Sequence, residues 1–257
     1  METVILAYHQ ISPEFSAGFS NTTPKQFSQH IRFLRDNDYC SISLMEYVMG
    51  CREKQRTVVI TFDDAYTSVH ENAFPILREH GFKATVFPIT QFVGGWNQWD
   101  YHIRSFRSSH CDWWHLRELV QAGWEIGSHT VTHANLRTLS SVQRWHELRY
   151  SKEVLQHKLG EEVNVLSYPF GWLNAPVANM AEAAGYRAAC TLGFNAQMGR
   201  YAIRRKGIYF FEPRKYFELK LHAGAWARFD DVKQLLFAHL AQSSVALRFL
   251  NSSTKMT

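Results

Sequence analysis

The run Thr57-Val58-Val59-Ile60-Thr61-Phe62, β-branched at five of six positions, stops abruptly at Asp63 and Asp64. A strand that is apolar at successive rather than alternate positions must be covered on both faces, as in a parallel sheet layered or wrapped by helices. Similar runs recur at Val4 to Ala7, Ala84 to Phe87, Trp124 to Gly127, Val163 to Ser167, Ala188 to Thr191 and Ile203 to Tyr209. Helical patterns lie between them. Thr23-Pro24-Lys25-Gln26 offers an N-cap, a proline at the first helical position and a glutamine placed to close a capping box, followed by Phe27, Ile31 and Leu34 at helical spacing. Further helices are predicted from Ala73 to His80, closed by Gly81, and from Ser141 to Leu159, closed by Gly160. Alternation of this kind predicts an α/β fold with a parallel sheet or barrel.

The 257 residues contain no repeat or linker, and barrels of about 250 residues occur as one unit, so residues 1–257 are expected to form a single domain. Val232, Leu235, Leu236, His239 and Leu240 share one helical face, which predicts a C-terminal helix over 230–250 packed on the body; a peripheral membrane or dimer contact is its alternative use. With 46% apolar and 20% charged residues the chain is an ordinary globular one, and a net charge of +5 is no nucleic-acid footprint. The basic stretch from Arg200 to Lys215, with Arg204, Arg205, Lys206 and Arg214, reads as a solvated face, with an anionic glycan or lipid head group as its alternative. Cys40, Cys51, Cys111 and Cys190 are too scattered for a disulfide framework or thiolate zinc site and read as reduced, buried thiols. The start Met-Glu-Thr has no signal-peptide pattern and no apolar run approaches the roughly 20 residues of a membrane span, so a cytoplasmic location is expected.

Asp63 and Asp64 end a buried strand, where parallel α/β folds place their active sites. Paired aspartates alone are equally turn or capping residues, but Ser128-His129-Thr130-Val131-Thr132-His133 follows another strand end. Its histidines stand at i and i+4, the spacing of one face of a helical turn. Two imidazoles and a carboxylate, with positions left for water and substrate, suit zinc, and cobalt, nickel or manganese fit the same ligands. Ser167-Tyr168-Pro169-Phe170-Gly171 supplies a tight turn at a third strand exit, able to aim a peptide N–H at an oxyanion.

These three segments, in this order and spacing, resemble the first motifs of the polysaccharide deacetylase family, the carbohydrate esterases that include chitin-oligosaccharide and peptidoglycan deacetylases. Leu6-Ala7-Tyr8-His9, Ala73-Phe74-Pro75-Ile76-Leu77, Gly81 to Phe87 and Leu119 to Gly127 also match, so that the resemblance spans roughly residues 4 to 210. It implies a distorted (β/α) barrel of about seven strands and metal-dependent removal of an N-acetyl group from an amino sugar. Residue by residue, it makes Asp63 the general base, Asp64, His129 and His133 the metal ligands, and Phe170 the donor of an oxyanion N–H.

Departures from the pattern are Ser167, where many relatives carry the arginine that orients the catalytic aspartate, and Ala65, where glycine is commoner. The element that carries the histidine protonating the leaving amine also departs from the pattern: its later candidates are His222, in Leu219-Lys220-Leu221-His222, and His239, with His9 as contender. Trp96, Trp99, Trp113, Trp114 and Trp172 fall in predicted loops, and Trp172, beside the third motif, is a candidate sugar-stacking ring. Two other readings are a cyclic amide or imide hydrolase on the same fold and a glycan-binding protein without turnover.

Overall fold

The computed structural model describes residues 3–13, 20–51, 56–97, 108–192, 196–210 and 212–221. Its strands are β1 (Val4–Tyr8), β2 (Gln10–Ile11), β3 (Asn21–Thr22), β4 (Tyr39–Ser41), β5 (Arg56–Asp64), β6 (Thr85–Pro88), β7 (Glu125–Ile126), β8 (Val165–Ser167), β9 (Ala188–Thr191), β10 (Ile203–Arg204) and β11 (Lys206–Gly207). The helices are α1 (Pro24–Asp36), α2 (Leu44–Val48), α3 (Phe74–Glu79), α4 (Trp113–Gln121), α5 (Ser141–Leu159), α6 (Ala175–Ala183) and α7 (Arg214–Lys220).

All pairing between strands is parallel, in the orders β11-β1-β5-β6-β7 and β10-β9-β8. The two sheets join at both ends. Ser128, just past β7, donates its N–H to Val165 and accepts from the Ser167 N–H, each at 2.9 Å. On the other side the Arg205 N–H reaches the Thr191 carbonyl at 3.1 Å, while β10 pairs with β9 and β11 with β1. The result is an irregular closed barrel whose last stave, β10 and β11 together, changes partner at Arg205. The predicted strand from Ile203 to Tyr209 is therefore two short pieces.

Period-two alternation sorts the strand residues into two cores. Leu6, Val58, Ile60, Phe62 and Val86 face outward and meet Phe27, Ile31 and Leu34 of α1. Ile5, Val59, Phe87, Val165, Ala188 and Cys190 face inward. Ile42 and Leu44 plug the interior at the end where the strands begin, the Leu44 N–H binding Thr85 Oγ1 at 3.0 Å. Thr85 and the Glu125 carboxylate at that end are tied to each other and to the start of α2. Gly127 is dictated by this packing: a Cβ there would stand 2.3 Å from the Phe87 ring.

Thr23 caps α1 as predicted, accepting from the Gln26 N–H at 3.2 Å. Gln26 does not close a capping box; its amide donates to the carbonyls of Phe210 and Glu212 and ties α1 to the segment after β11. The helix predicted from Ala73 begins at Phe74, after one π-turn over Val69–Ala73. Of the cysteines, Cys111 and Cys190 are buried, whereas Cys40 is half-buried and Cys51 exposed, so burial holds for only two; none forms a disulfide. The predicted helix over 230–250 lies outside the described residues. Among the described residues no helix is long and apolar enough to cross a membrane.

Candidate metal centre and its carboxylate

Thr61 and Asp63 continue the inward face of Val59, which carries the Asp63 carboxylate to the rim of the barrel interior, 2% exposed. Asp64 would point the other way on a regular strand. Instead the chain turns left-handed there, with φ 66° at Asp64 and 49° at Ala65, which turns the chain so that both carboxylates serve one pocket. Such backbone costs an L-residue roughly 1–2 kcal/mol. His110 Nδ1–H donating to the Asp64 carbonyl and the Cys111 N–H donating to that of Ala65, both at 2.7 Å, hold it. The positive φ at Ala65 is one that glycine, the residue the family resemblance leads one to expect there, adopts at less cost than alanine.

His129 and His133 meet Asp64 as the sequence predicts, but not on a helix. The segment from His129 to His133 is a loop, with Thr130 at φ 69° and His133 at φ 62°, and these left-handed residues bend it until both rings face Asp64. The imidazole Nε2 atoms lie 3.5 and 3.7 Å from Asp64 Oδ1. The three ligand atoms lie within 4.8 Å of one another, and all three residues are buried. Tetrahedral ligands at 2.0–2.1 Å from zinc are separated by roughly 3.4 Å, so the spacing is that of groups sharing one cation. Protonation fits as well. The Ser167 carbonyl, 2.8 Å from His129 Nδ1, can only accept, so the proton sits on Nδ1 and the Nε2 lone pair faces Asp64. Burial lowers the pKa of both rings, against the pull of Asp63, keeping them neutral as ligands must be.

Arg205 is the functional residue that sequence reasoning missed. Rather than belonging to a solvated basic face, it is fully buried in the barrel and grips Asp63 with both ends of its fork: Nη1 to Oδ1 at 2.8 Å and Nη2 to Oδ2 at 2.7 Å. Its remaining contacts are Thr61 Oγ1 at 2.9 Å and Ser167 Oγ at 2.8 Å, with Phe87 beneath the guanidinium at 5.5 Å. Ser167 is small because an arginine from another stave occupies the space an arginine of its own would need. Burial would raise the Asp63 carboxyl, but Arg205, with His129 and His9, more than offsets it and holds the group well below the usual carboxylate range. The neighbours in the stretch are ordinary: Arg204 is exposed, Lys206 binds the Lys220 carbonyl and Arg214 pairs with Glu218.

His9, beyond the end of β1, feels the charges of Asp63, Arg205 and His129, and burial pushes its imidazole down to about 4. Phe170 is left-handed, at φ 60°, and sets its ring edge-on to His133 at 4.6 Å. Gly171 is needed beside it, with φ 70° and a virtual Cβ only 2.7 Å from the Leu192 nitrogen. Trp172 follows, its ring 6.5 Å from that of Phe170 and covered by the Arg137 guanidinium at 5.5 Å. Trp113 and Trp114 open α4 rather than lying in a loop, and Trp96 is exposed. His222 and Trp99 lie outside the described residues.

The polysaccharide deacetylase family profile matches residues 51–189, a segment that ends before Arg205. YxkH of Bacillus subtilis, designated a polysaccharide deacetylase, is 32% identical over 209 residues, 78% of this chain and 69% of that protein. The poly-β-1,6-N-acetyl-D-glucosamine N-deacetylase of Staphylococcus aureus is 27% identical over 184 residues, and the aligned part spans 61% of its length. Among solved structures, the Streptococcus pyogenes deacetylase PplD superposes with a TM-score of 0.75 at 23% identity, over 87% of this chain and 99% of that one. IcaB from Ammonifex degensii superposes at 0.67 and 21% identity, over 88% and 97%. The structural neighbours bear out the distorted (β/α) barrel, and the profile together with the Bacillus relative establishes that this chain belongs to the polysaccharide deacetylase family.

Proposed function

We propose that the protein removes the acetyl group from an N-acetylated amino sugar within a saccharide, using one zinc ion held by Asp64, His129 and His133. The observation that carries this reading is the Asp63 carboxylate, clamped by Arg205 at the same buried pocket as the three ligands. Asp64, His129 and His133 would hold the cation, which when bound would supply the Lewis acidity that amide hydrolysis near neutral pH requires. Asp63, ionised and fixed in orientation, is the base we assign to take the proton of the attacking water. Arg205 keeps the carboxylate charged and aimed, and the Phe170 N–H is the donor we assign to the developing oxyanion.

The leaving amine needs a proton. Of the sequence candidates, His9 feels the charges of Asp63 and His129, but burial pushes its imidazole down to about 4, which leaves it without a proton to give near neutral pH; His222 is the residue we assign. Trp172 is assigned as a stacking surface for a sugar ring. The name of the Staphylococcus relative makes a β-1,6-linked N-acetylglucosamine oligomer the first substrate to try.

Acetate release from such oligomers by the zinc-loaded protein, abolished by chelator and restored by zinc, is the expected result. Ring opening of a cyclic imide without acetate, or sugar binding without turnover, would overturn the proposal. His9→Ala and His222→Ala separate the acid candidates, because only the true acid loses turnover with zinc still bound.

A further inference from the structure

Resting on the metal-site reading above, we infer that Glu147 of α5 is a positioning residue that sets the separation of the two ligating imidazoles. The loop that carries them is left-handed at Thr130 and His133, and the N–H groups from Thr130 to His133 meet no backbone carbonyl among the described residues. Four consecutive backbone N–H groups must therefore find side-chain partners. Glu147, buried at 6% exposure, takes two of them: its Oε2 accepts from Val131 and Thr132, each at 2.9 Å, while Oε1 accepts from Thr132 Oγ1 at 2.7 Å.

The other two amides follow the same logic. Thr130 N–H donates to Ser128 Oγ, whose hydroxyl donates to Ser151 Oγ, which in turn donates to the Glu147 carbonyl. His133 N–H closes on Thr130 Oγ1 at 3.2 Å. Arg144 adds bonds to the carbonyls of Leu136 and Leu139. Arg144, Glu147 and Ser151 share one stripe of α5, three or four residues apart, so a single helix face holds the whole segment. On the opposite side the Thr90 and Gln91 N–H groups hold the Thr130 and Val131 carbonyls.

Glu147 thus binds the two residues, Val131 and Thr132, that lie midway in sequence between the histidines. Its carboxylate fixes how tightly the loop is drawn, hence where the second imidazole stands relative to the first. Outer-sphere groups that orient metal ligands alter affinity by about 10- to 100-fold when lost.

Zinc titration of the apo protein against a chromophoric competitor tests this without recourse to turnover. Glu147→Ala should weaken zinc binding by about 10- to 100-fold and Glu147→Gln by less, whereas Leu155→Ala, on the same helix but in the core, should lower the apo melting temperature and leave zinc affinity within about twofold. Glu147 variants that bind zinc like the wild type, or a Leu155→Ala variant that weakens it equally, would overturn the inference. If Glu147→Ala does not fold, Glu147→Gln decides. Wild-type protein that binds no zinc would instead remove the metal-site reading on which this rests.

Discussion

The two sides of the pocket are built differently. Asp63 is secured at one point, by the guanidinium of a single residue 142 positions later in the chain. The histidine loop is secured at many, its amides shared among the Glu147 carboxylate and the hydroxyls of Ser128 and Thr130, and its carbonyls held by a neighbouring turn. A buried charge pair concentrates dependence in one contact, because removing a partner leaves the other charge uncompensated. A backbone clamp distributes it. The carboxylate side should therefore fail abruptly and the ligand side by degrees.

The largest separation of the two sides comes from Asp63→Asn, which should cut kcat by about 10²- to 10⁴-fold while zinc binds as before. A fully active Asp63→Asn variant, assayed by acetate release, would sink the role given to this carboxylate. Next is Arg205→Met, which strands a buried carboxylate and should cost about 3–5 kcal/mol in denaturant unfolding. Adding Asp63→Asn to it should recover part of that loss; no recovery would mean that the two residues do not act as a pair. Gly127→Ala is milder. It forces the Phe87 ring from under Arg205 and should destabilise by about 1–3 kcal/mol, with a fall in turnover exceeding any loss of zinc.

The smallest effect at neutral pH, which grows only on acidification, comes from outside the pocket. Burial, helped by Lys220, pushes the His30 imidazole down to about 3, while the unfolded chain takes up that proton near pH 6.5. The unfolded state thus binds more protons between these values, and stability falls as the solution is acidified from 6.5 toward 3. His30→Asn should flatten that slope by up to about 1.4 kcal/mol per pH unit. An unchanged slope would place the acid sensitivity elsewhere.

The strand run ending in Asp63-Asp64 was legible because burial on both faces leaves a compositional trace. So was the pairing of His129 with His133. What spacing could not convey was the shape of their loop: i, i+4 suggests a helix, while the left-handed Thr130 and His133 reach the same convergence by another path. Arg205 was illegible for a different reason. In sequence it is one of several cations in a row, and only barrel closure turns it inward, away from Arg204 and Lys206. Ser167, read as a missing arginine, proves to be the space that admits this one. Glu147 carried no signal beyond an acidic residue in a long helix.

Because the stave bearing Arg205 is the last to join the barrel, the order of the chain becomes an order of competence. A polypeptide synthesised only as far as the end of the family-matched segment already holds Asp64, His129 and His133, yet its base still lacks the arginine that fixes it. The setting of the Asp63 carboxylate therefore depends on a residue far downstream of the loop that carries His129 and His133, and is complete only when the stave with Arg205 is in place.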